Sequence, residues 1–166
     1  MTSNLDIDPT GQPAPRWTTT EWLNSAVELH PANLRGKVVV LHAFQMLCPA
    51  CVHHGLPQAQ RIQQLFSPQD VAVIGLHTVF EHHAAMTVVS LRAFVHENRI
   101  RFPIGVDAPQ AGSDDPIPIT MRAYQLQGTP SLLLIDRVGR LRRHSFGVED
   151  DLRVGAAIAT LIAEAD

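Results

Sequence analysis

Val38–Phe44 reads VVVLHAF, and three residues further on stands the motif CPAC at residues 48–51. A run this apolar is typical of a strand buried on both faces, as the strands of a parallel sheet are. Residues 52–66 have a helical pattern with a break expected at Gly55 or Pro57, because proline has no N–H to donate inside a helix. The two cysteines are therefore predicted to lie where a central strand passes into a helix.

The rest of the chain alternates between strand-like and helix-like patterns. In chain order these are a second buried strand at 71–77, a helix at 88–97, a short strand at 102–106, a helical turn ending near 124, strands at 131–135 and 140–146, and an amphipathic helix at 150–165. The first two strands should be parallel, and the tight turn at 136–139 should make the last two antiparallel. We predict one α/β domain, with a βαβ unit, an inserted αβ segment and a ββα unit around a mixed sheet.

The start of the chain is less regular. Residues 1–16 hold few apolar anchors but several turn-forming residues, namely Pro9, Gly11, Pro13 and Pro15. We expect a flexible lead-in there, with the domain occupying residues 17–166. Residues 20–25 fit either a short helix or an edge strand, and Trp17 and Trp22 are expected to anchor the core.

Charge and hydropathy argue against two classes of partner. The 166 residues carry 13 Lys and Arg against 16 Asp and Glu, with no dense basic block, so nucleic acid is not an expected partner. No apolar run approaches the roughly 18 to 20 residues of a membrane span. The first residues lack the basic and apolar regions of a secretory signal, which predicts a cytoplasmic protein. In that compartment, paired cysteines are more typical of redox catalysis or metal binding than of a permanent disulfide.

The spacing and position of the two cysteines predict redox chemistry. A disulfide between cysteines this close in sequence needs a curved backbone, which a strand-to-helix junction supplies. Unpaired N–H groups and the helix dipole stabilise a thiolate at a helix N-terminus, so we expect Cys48 to be the nucleophile and Cys51 the resolving thiol. Pro49 fits the first helical turn, where its missing N–H leaves no bond unmade.

Metal binding is an alternative use of the same residues. A CxxC pair is often half of a zinc site, but the chain has only 2 cysteines and so no second pair. His54 falls one helical turn after Cys51, and a site of Cys48, Cys51 and His54 would suit copper or zinc. We rank this site below redox chemistry and predict no resident metal.

Three stretches resemble a known family. The run at 34–44, the CPAC motif and Gly128-Thr129-Pro130 are similar to the TlpA and ResA branch of the thioredoxin-like proteins. Residues 22–25 and 76–78, with the long insert, also resemble the redoxin domains of DipZ-like and NHL-repeat-containing proteins. The resemblance implies a thioredoxin-like three-layer α/β/α sandwich that exchanges thiols and disulfides without an organic cofactor. Its partners would be protein thiols and disulfides or small-molecule disulfides.

The resemblance also implies roles for single residues. Thr129 and Pro130 match the family's loop opposite the cysteines, where the proline is cis and the residue before it presents its backbone to substrate. Leu47 stands where relatives usually carry an aromatic residue, and with Pro49 it is expected to contact the partner. His42 stands where thioredoxins hold a buried aspartate that moves the proton of the resolving thiol, a task that suits histidine near neutral pH. The alternative is a core histidine hydrogen-bonded to backbone.

A thiol peroxidase is the remaining alternative. Peroxiredoxins also place a cysteine followed by proline after a buried strand, and they hold the peroxide with a threonine three residues before that cysteine. This chain has Gln45 at that position, so the hydroxyl is missing and disulfide exchange is favoured. The direction of exchange, reductase or oxidase, stays open.

Overall fold

The computed structural model describes residues 5–164, and its framework is one sheet of seven strands. In chain order the strands are β1 Gln12–Pro13, β2 Thr19–Leu23, β3 Val38–Phe44, β4 Val71–His77, β5 Ile104–Asp107, β6 Ser131–Ile135 and β7 Arg140–Phe146. They lie side by side in the order β1-β7-β6-β3-β4-β5-β2. The pairs β3–β4 and β4–β5 are parallel and the other pairs are antiparallel. The predicted mixed sheet is confirmed.

Helices on both faces of the sheet complete three layers. They are α1 Leu56–Leu65, α2 Val88–Glu97, α3 Ile119–Ala123 and α4 Asp151–Ala163, with a 3₁₀ turn at Pro31–Leu34 and a π-helical turn at Cys51–Gly55. One core takes side chains from α1, α2 and α4, while the other takes Met121 of α3 and Trp17. Successive residues of β3 alternate between these two cores. Burial on both faces is the physical reason for the apolar run in β3.

The segment for which the sequence allows either a short helix or an edge strand lies at an edge of the sheet. It is strand β2, antiparallel to β5. Trp17 is buried and its Nε1 donates to the hydroxyl of Tyr124 over 3.0 Å, whereas Trp22 is only partly buried. Residues 1–4 of the predicted lead-in lie outside the described residues, and residues 12–13 form β1 beside β7.

The helix that follows the cysteines is interrupted, as the sequence predicts. Leu56 N donates to the carbonyl of Cys51, five residues earlier, which makes the first turn π-helical. Pro57 has no N–H, so it cannot make the usual bond to the carbonyl four residues before it. Short π-helical turns are rare and frequently occur at functional sites. Here the turn begins at the second cysteine.

Helix α4 closes the chain and begins with a side-chain cap. Asp150 Oδ1 accepts hydrogen bonds from Leu152 N over 3.0 Å and from Arg153 N over 3.1 Å. These two N–H groups have no partner inside the helix, so the carboxylate satisfies them. With 13 residues α4 is the longest helix, and between residues 5 and 164 no helix has the length and apolar character to cross a bilayer.

Asp150→Ala should lower the free energy of unfolding by about 1 kcal/mol, because α4 loses the acceptor at its start. Urea unfolding of the wild type and the variant measures this difference. Asp150→Asn is the matched control, since asparagine keeps an oxygen that caps a helix. Equal losses in the two variants would assign the effect to the charge and would contradict the role as a cap.

Candidate active site

The two cysteines lie next to each other at the carboxyl end of β3, in the centre of the sheet. Both are free thiols, and the Cys51 thiol donates to Cys48 Sγ over 2.6 Å. Cys51 N also donates to Cys48 Sγ over 3.3 Å. Cys48 is partly exposed, whereas Cys51 has no exposed surface. A molecule in solution can therefore reach the sulfur of Cys48 but not that of Cys51.

The buried thiol holds its proton firmly. Burial, together with the hydrogen bond to Cys48, raises the pKa of Cys51 to about 12. A thiol with this pKa stays protonated near neutral pH and keeps donating to its neighbour.

The loop expected opposite the cysteines is there. The Thr129–Pro130 peptide is cis, as the family resemblance implied, and the Cys48 thiol lies 3.6 Å from the carbonyl oxygen of Thr129. A groove of 450 Å³ brings Leu47, Cys48, Pro49 and Thr129 together. Pro130 does not line this groove; it lines a different cavity.

The rim of this groove is apolar and exposed. Leu47 and Phe146 both line the groove, and each exposes 55% of its surface. The Phe146 ring also lies against Gly128, where an added Cβ would be 3.0 Å from the ring. The sequence does not identify Phe146 as a site residue, because only the folded chain brings the end of β7 to the groove around Cys48.

His42 is fully buried in β3, but not as a histidine bound to backbone. Neither ring nitrogen has a hydrogen-bond partner among the described residues, so His42 is a core histidine but lacks the backbone hydrogen bond that this alternative included. The ring is parallel to that of Phe44, with centroids 6.0 Å apart, and it touches Gly55. Burial lowers the pKa of His42 to about 4, so the imidazole is neutral at pH 7. No hydrogen bond joins it to either cysteine.

Two further polar side chains position the loop before Cys48. Gln45 accepts from Phe80 N over 3.2 Å and donates to Glu81 over 3.3 Å. His77 accepts from Met46 N over 3.3 Å at its Nε2. Burial lowers the pKa of His77 to about 4, which keeps this nitrogen free to accept.

The sequence alone does not predict these roles. It marks Gln45 only as the position of a missing threonine, and His77 only as part of the family resemblance at residues 76–78. Each is a polar residue at the end of a buried strand, which is the one local signal of its role. The amide of Gln45 offers no hydroxyl for a peroxide, and its hydrogen bonds are made with the 80–81 segment.

The geometry gives no support to the metal alternative. Among residues 5–164, no group of three or more His, Cys, Asp or Glu side chains is arranged to hold a metal ion. His54 is exposed, and the π-helical turn changes its angular position relative to Cys51 from that expected in an α-helix. The proposed trio of Cys48, Cys51 and His54 is therefore not assembled.

A central strand that ends at two adjacent thiols, opposite a loop with a cis-proline, defines a protein of the thioredoxin-like class. The chain belongs to the AhpC/TSA family, which matches residues 10–144. A comparison with curated protein sequences gives no match.

Solved structures are similar to the chain over nearly its whole length. The thioredoxin-like superfamily protein SPOA0173 is 58% identical, with a TM-score of 0.89 over 92% of this chain and 97% of the other. A thiol-disulfide isomerase from Corynebacterium glutamicum is 48% identical, with a TM-score of 0.86 over 92% and 98%. StoA from Bacillus subtilis is 19% identical, with a TM-score of 0.63 over 88% and 97%, and shares the fold.

Proposed function

We propose that this protein is a thiol-disulfide oxidoreductase that exchanges disulfides through Cys48 and Cys51, without an organic cofactor. The observation that carries the proposal is the partly exposed sulfur of Cys48, 2.6 Å from the thiol of the buried Cys51. One sulfur can meet a partner, and the other can meet only the first. The similarity to a thiol-disulfide isomerase at 48% identity supports the same chemistry.

The reaction takes place in two exchanges. The Cys48 thiolate attacks a partner disulfide, a bond forms between Cys48 and one partner sulfur, and the other partner sulfur leaves as a thiolate. Cys51 then loses its proton and attacks Cys48 Sγ, which forms the Cys48–Cys51 disulfide and releases the second partner thiolate. Two electrons pass from the dithiol to the partner. The reverse sequence oxidises a partner dithiol.

The groove around Cys48 suits an extended partner segment. We propose that Leu47, Pro49 and Phe146 contact apolar side chains next to the partner's disulfide, since Leu47 and Phe146 present exposed apolar surface. Thr129 would pair its backbone with the segment, and Pro130 would hold the loop. Partners of this kind are protein thiols and disulfides, or small disulfides that fill part of the groove.

His42 is proposed to help Cys51 lose its proton. A thiol with a pKa of about 12 is a poor nucleophile near pH 7 unless a neighbouring group takes the proton. Because burial holds the pKa of His42 near 4, the imidazole cannot keep that proton. The His42 imidazole would therefore accept the Cys51 proton at one ring nitrogen while its other ring nitrogen releases a proton.

Cys51→Ser should trap the mixed disulfide between Cys48 and its partner, because no resolving thiol remains to release it. Non-reducing electrophoresis and intact mass after incubation with a disulfide-bonded protein measure the adduct. Cys48→Ser is the control and should form none. An adduct on Cys51 in that control, or peroxide consumption without any disulfide exchange, would contradict the proposal.

The direction of exchange follows from the redox potential of the pair, measured by thiol trapping in glutathione buffers. A potential near about −270 mV identifies a reductase, and one near about −120 mV an oxidase. The cytoplasmic location that the sequence predicts would favour a reductase. That location stays a prediction.

A further inference from the structure

A cavity of 750 Å³ lies beside the start of β5, away from the cysteines. Its walls come from the last residues of β2 and the two that follow, from α2, and from the 99–101 segment. Because β3, β4 and β5 are parallel, residues just before β5 lie at the end of the sheet opposite the carboxyl end of β3. The cysteines follow that carboxyl end, and the cavity shares no lining residue with the groove around Cys48. The cavity is therefore separate from the site of disulfide exchange.

Positive charge is concentrated in this cavity. Arg92, Arg99 and Arg101 line it, and the part of the chain that the structure describes contributes no Asp or Glu to its walls. The whole chain has the opposite balance, with 13 Lys and Arg against 16 Asp and Glu. Arg92 forms an ion pair with Glu21 over 2.5 Å, but no hydrogen bond or ion pair among the described residues engages the side chains of Arg99 and Arg101. An anion in the cavity would therefore meet two guanidinium groups that have no counter-charge.

The cavity also has an apolar wall with one unmet hydrogen-bond donor. Leu23, Val95 and Ile100 are buried residues that line it, and the indole of Trp22 lines it as well. Trp22 Nε1 is buried and has no hydrogen-bond partner among the described residues. An indole N–H and a guanidinium group can donate hydrogen bonds but cannot accept them. A matching ligand accepts hydrogen bonds at one end and has an apolar or aromatic part at the other.

The backbone at Arg99 has a conformation that arginine rarely adopts. Its φ is +52°, in the left-handed region that favours glycine at the residue after a helix. Ile100 N donates to the carbonyl of Val95 over 3.1 Å, and Asn24 Nδ2 donates to the carbonyls of Ile100 over 2.9 Å and Phe102 over 3.1 Å. These bonds fix the loop that carries the two unpaired guanidinium groups. Glycine would fit this loop with less strain, so the arginine side chain is the feature that needs a reason.

We infer that this cavity binds a small organic anion with at least two negative charges, a phosphate or dicarboxylate carried on an apolar or aromatic group. Arg99 and Arg101 would pair with the charged oxygens, because the planar guanidinium group matches both phosphate and carboxylate. Trp22, with the apolar wall, would contact the rest of the molecule. The volume of 750 Å³ lies within the range of roughly 300 to 1,000 Å³ that small-molecule sites occupy. The inference goes beyond the proposed function and does not depend on it.

Isothermal titration calorimetry with two probes tests the inference. Phenyl phosphate and isophthalate are both dianions on a benzene ring at pH 8, since the second pKa of a phosphate group is about 6. At least one of them should bind saturably with one molecule per chain, and the tighter probe distinguishes a phosphate from a carboxylate ligand. Inorganic phosphate lacks the ring and should bind about tenfold more weakly than phenyl phosphate, because it leaves the apolar wall uncovered.

Arg99→Gln and Arg101→Gln should each weaken binding of the tighter probe about tenfold, because each removes a hydrogen bond between charged groups. Arg153→Gln is the matched control, since Arg153 is an exposed arginine that does not line this cavity, and it should bind the probe as the wild type does. Binding should also change the tryptophan fluorescence, and Trp22→Phe should lose most of that change. Trp17 is buried elsewhere, with its Nε1 bonded to Tyr124.

Arg99→Gly separates ligand binding from a structural role. Glycine suits a φ of +52°, so this variant should keep or raise the free energy of unfolding in urea while it weakens binding of the probe. An arginine that only complements the dipole of α2 predicts the opposite result, a loss of stability with unchanged binding. That result would overturn the role of Arg99 in the site.

The absence of saturable binding for both probes at millimolar concentrations would overturn the inference. Binding that is as tight in both glutamine variants as in the wild type would overturn the assignment to this cavity. Equal affinity for inorganic phosphate and phenyl phosphate would overturn the organic part of the ligand. Disulfide exchange should keep its wild-type rate in all the arginine variants, so failure of this inference leaves the proposed function standing.

Discussion

Cys48→Ser should lower the rate of disulfide reduction at least about a thousand-fold, because it removes the nucleophile. The thiolate is the attacking species, whereas a serine hydroxyl stays protonated near pH 7 and forms no disulfide. Cys51 cannot replace it, since that sulfur is fully buried and its pKa is raised to about 12. Turnover of insulin or glutathione disulfide, followed spectrophotometrically, measures the loss.

The matched control is Cys51→Ser, which makes the same chemical change three residues away. It should still release one equivalent of thiolate from an aromatic disulfide and then stop, whereas Cys48→Ser should release none. Cys48→Ser should keep the unfolding free energy close to the wild-type value, because the Cys48 side chain is partly exposed. Substantial turnover by folded Cys48→Ser would show that the chemistry lies elsewhere.

Acidification should destabilise the fold between about pH 6.5 and 4, because two buried histidines resist protonation. Burial holds the pKa values of His42 and His77 at about 4, below the ordinary 6.5. In the unfolded chain both take up protons as the pH falls through 6.5, so proton uptake favours unfolding. Their contribution to stability is complete above that pH and is lost on acidification. At pH 5 each histidine should destabilise the fold by about 2 kcal/mol relative to pH 8.

Urea unfolding at pH 8 and pH 5 measures this effect, and His77→Gln isolates one half of it. Glutamine can still accept from Met46 N but does not titrate, so the loss of stability on acidification should be about 2 kcal/mol smaller. Burial raises the pKa of Asp107, which opposes the loss of stability on acidification. Burial also lowers the pKa of His144, which adds to that loss. Both groups are present in the wild type and in His77→Gln, so their contributions cancel when the two proteins are compared. An unchanged acid loss in His77→Gln would contradict the assignment to His77.

Much of the fold and the reactive pair is visible in local patterns. The apolar run of β3 predicts a strand buried on both faces, and the CPAC motif directly after it predicts thiols at a strand-to-helix junction. Pro57 predicts the break in the following helix, since a missing N–H acts within one turn. These features depend on neighbours in the sequence, so the sequence alone is enough to determine them.

The surroundings of the thiols depend on contacts between distant residues. Antiparallel pairing with β5 makes Thr19–Leu23 an edge strand and not a helix. Gln45 and His77 acquire their roles through hydrogen bonds to partners 35 and 31 residues away. The family resemblance predicts a role for His42 near the cysteines. It does not predict the contact of His42 with Gly55 or the cavity that both residues line.

Local composition thus determined the reactive pair and the strand and helix that hold it. The tertiary structure alone decided which of the two cysteines is exposed and which apolar side chains border the groove around it. The physical reason is that burial and hydrogen-bond satisfaction are properties of packed surroundings. A side chain such as His42 acquires them only when residues far apart in the chain come together.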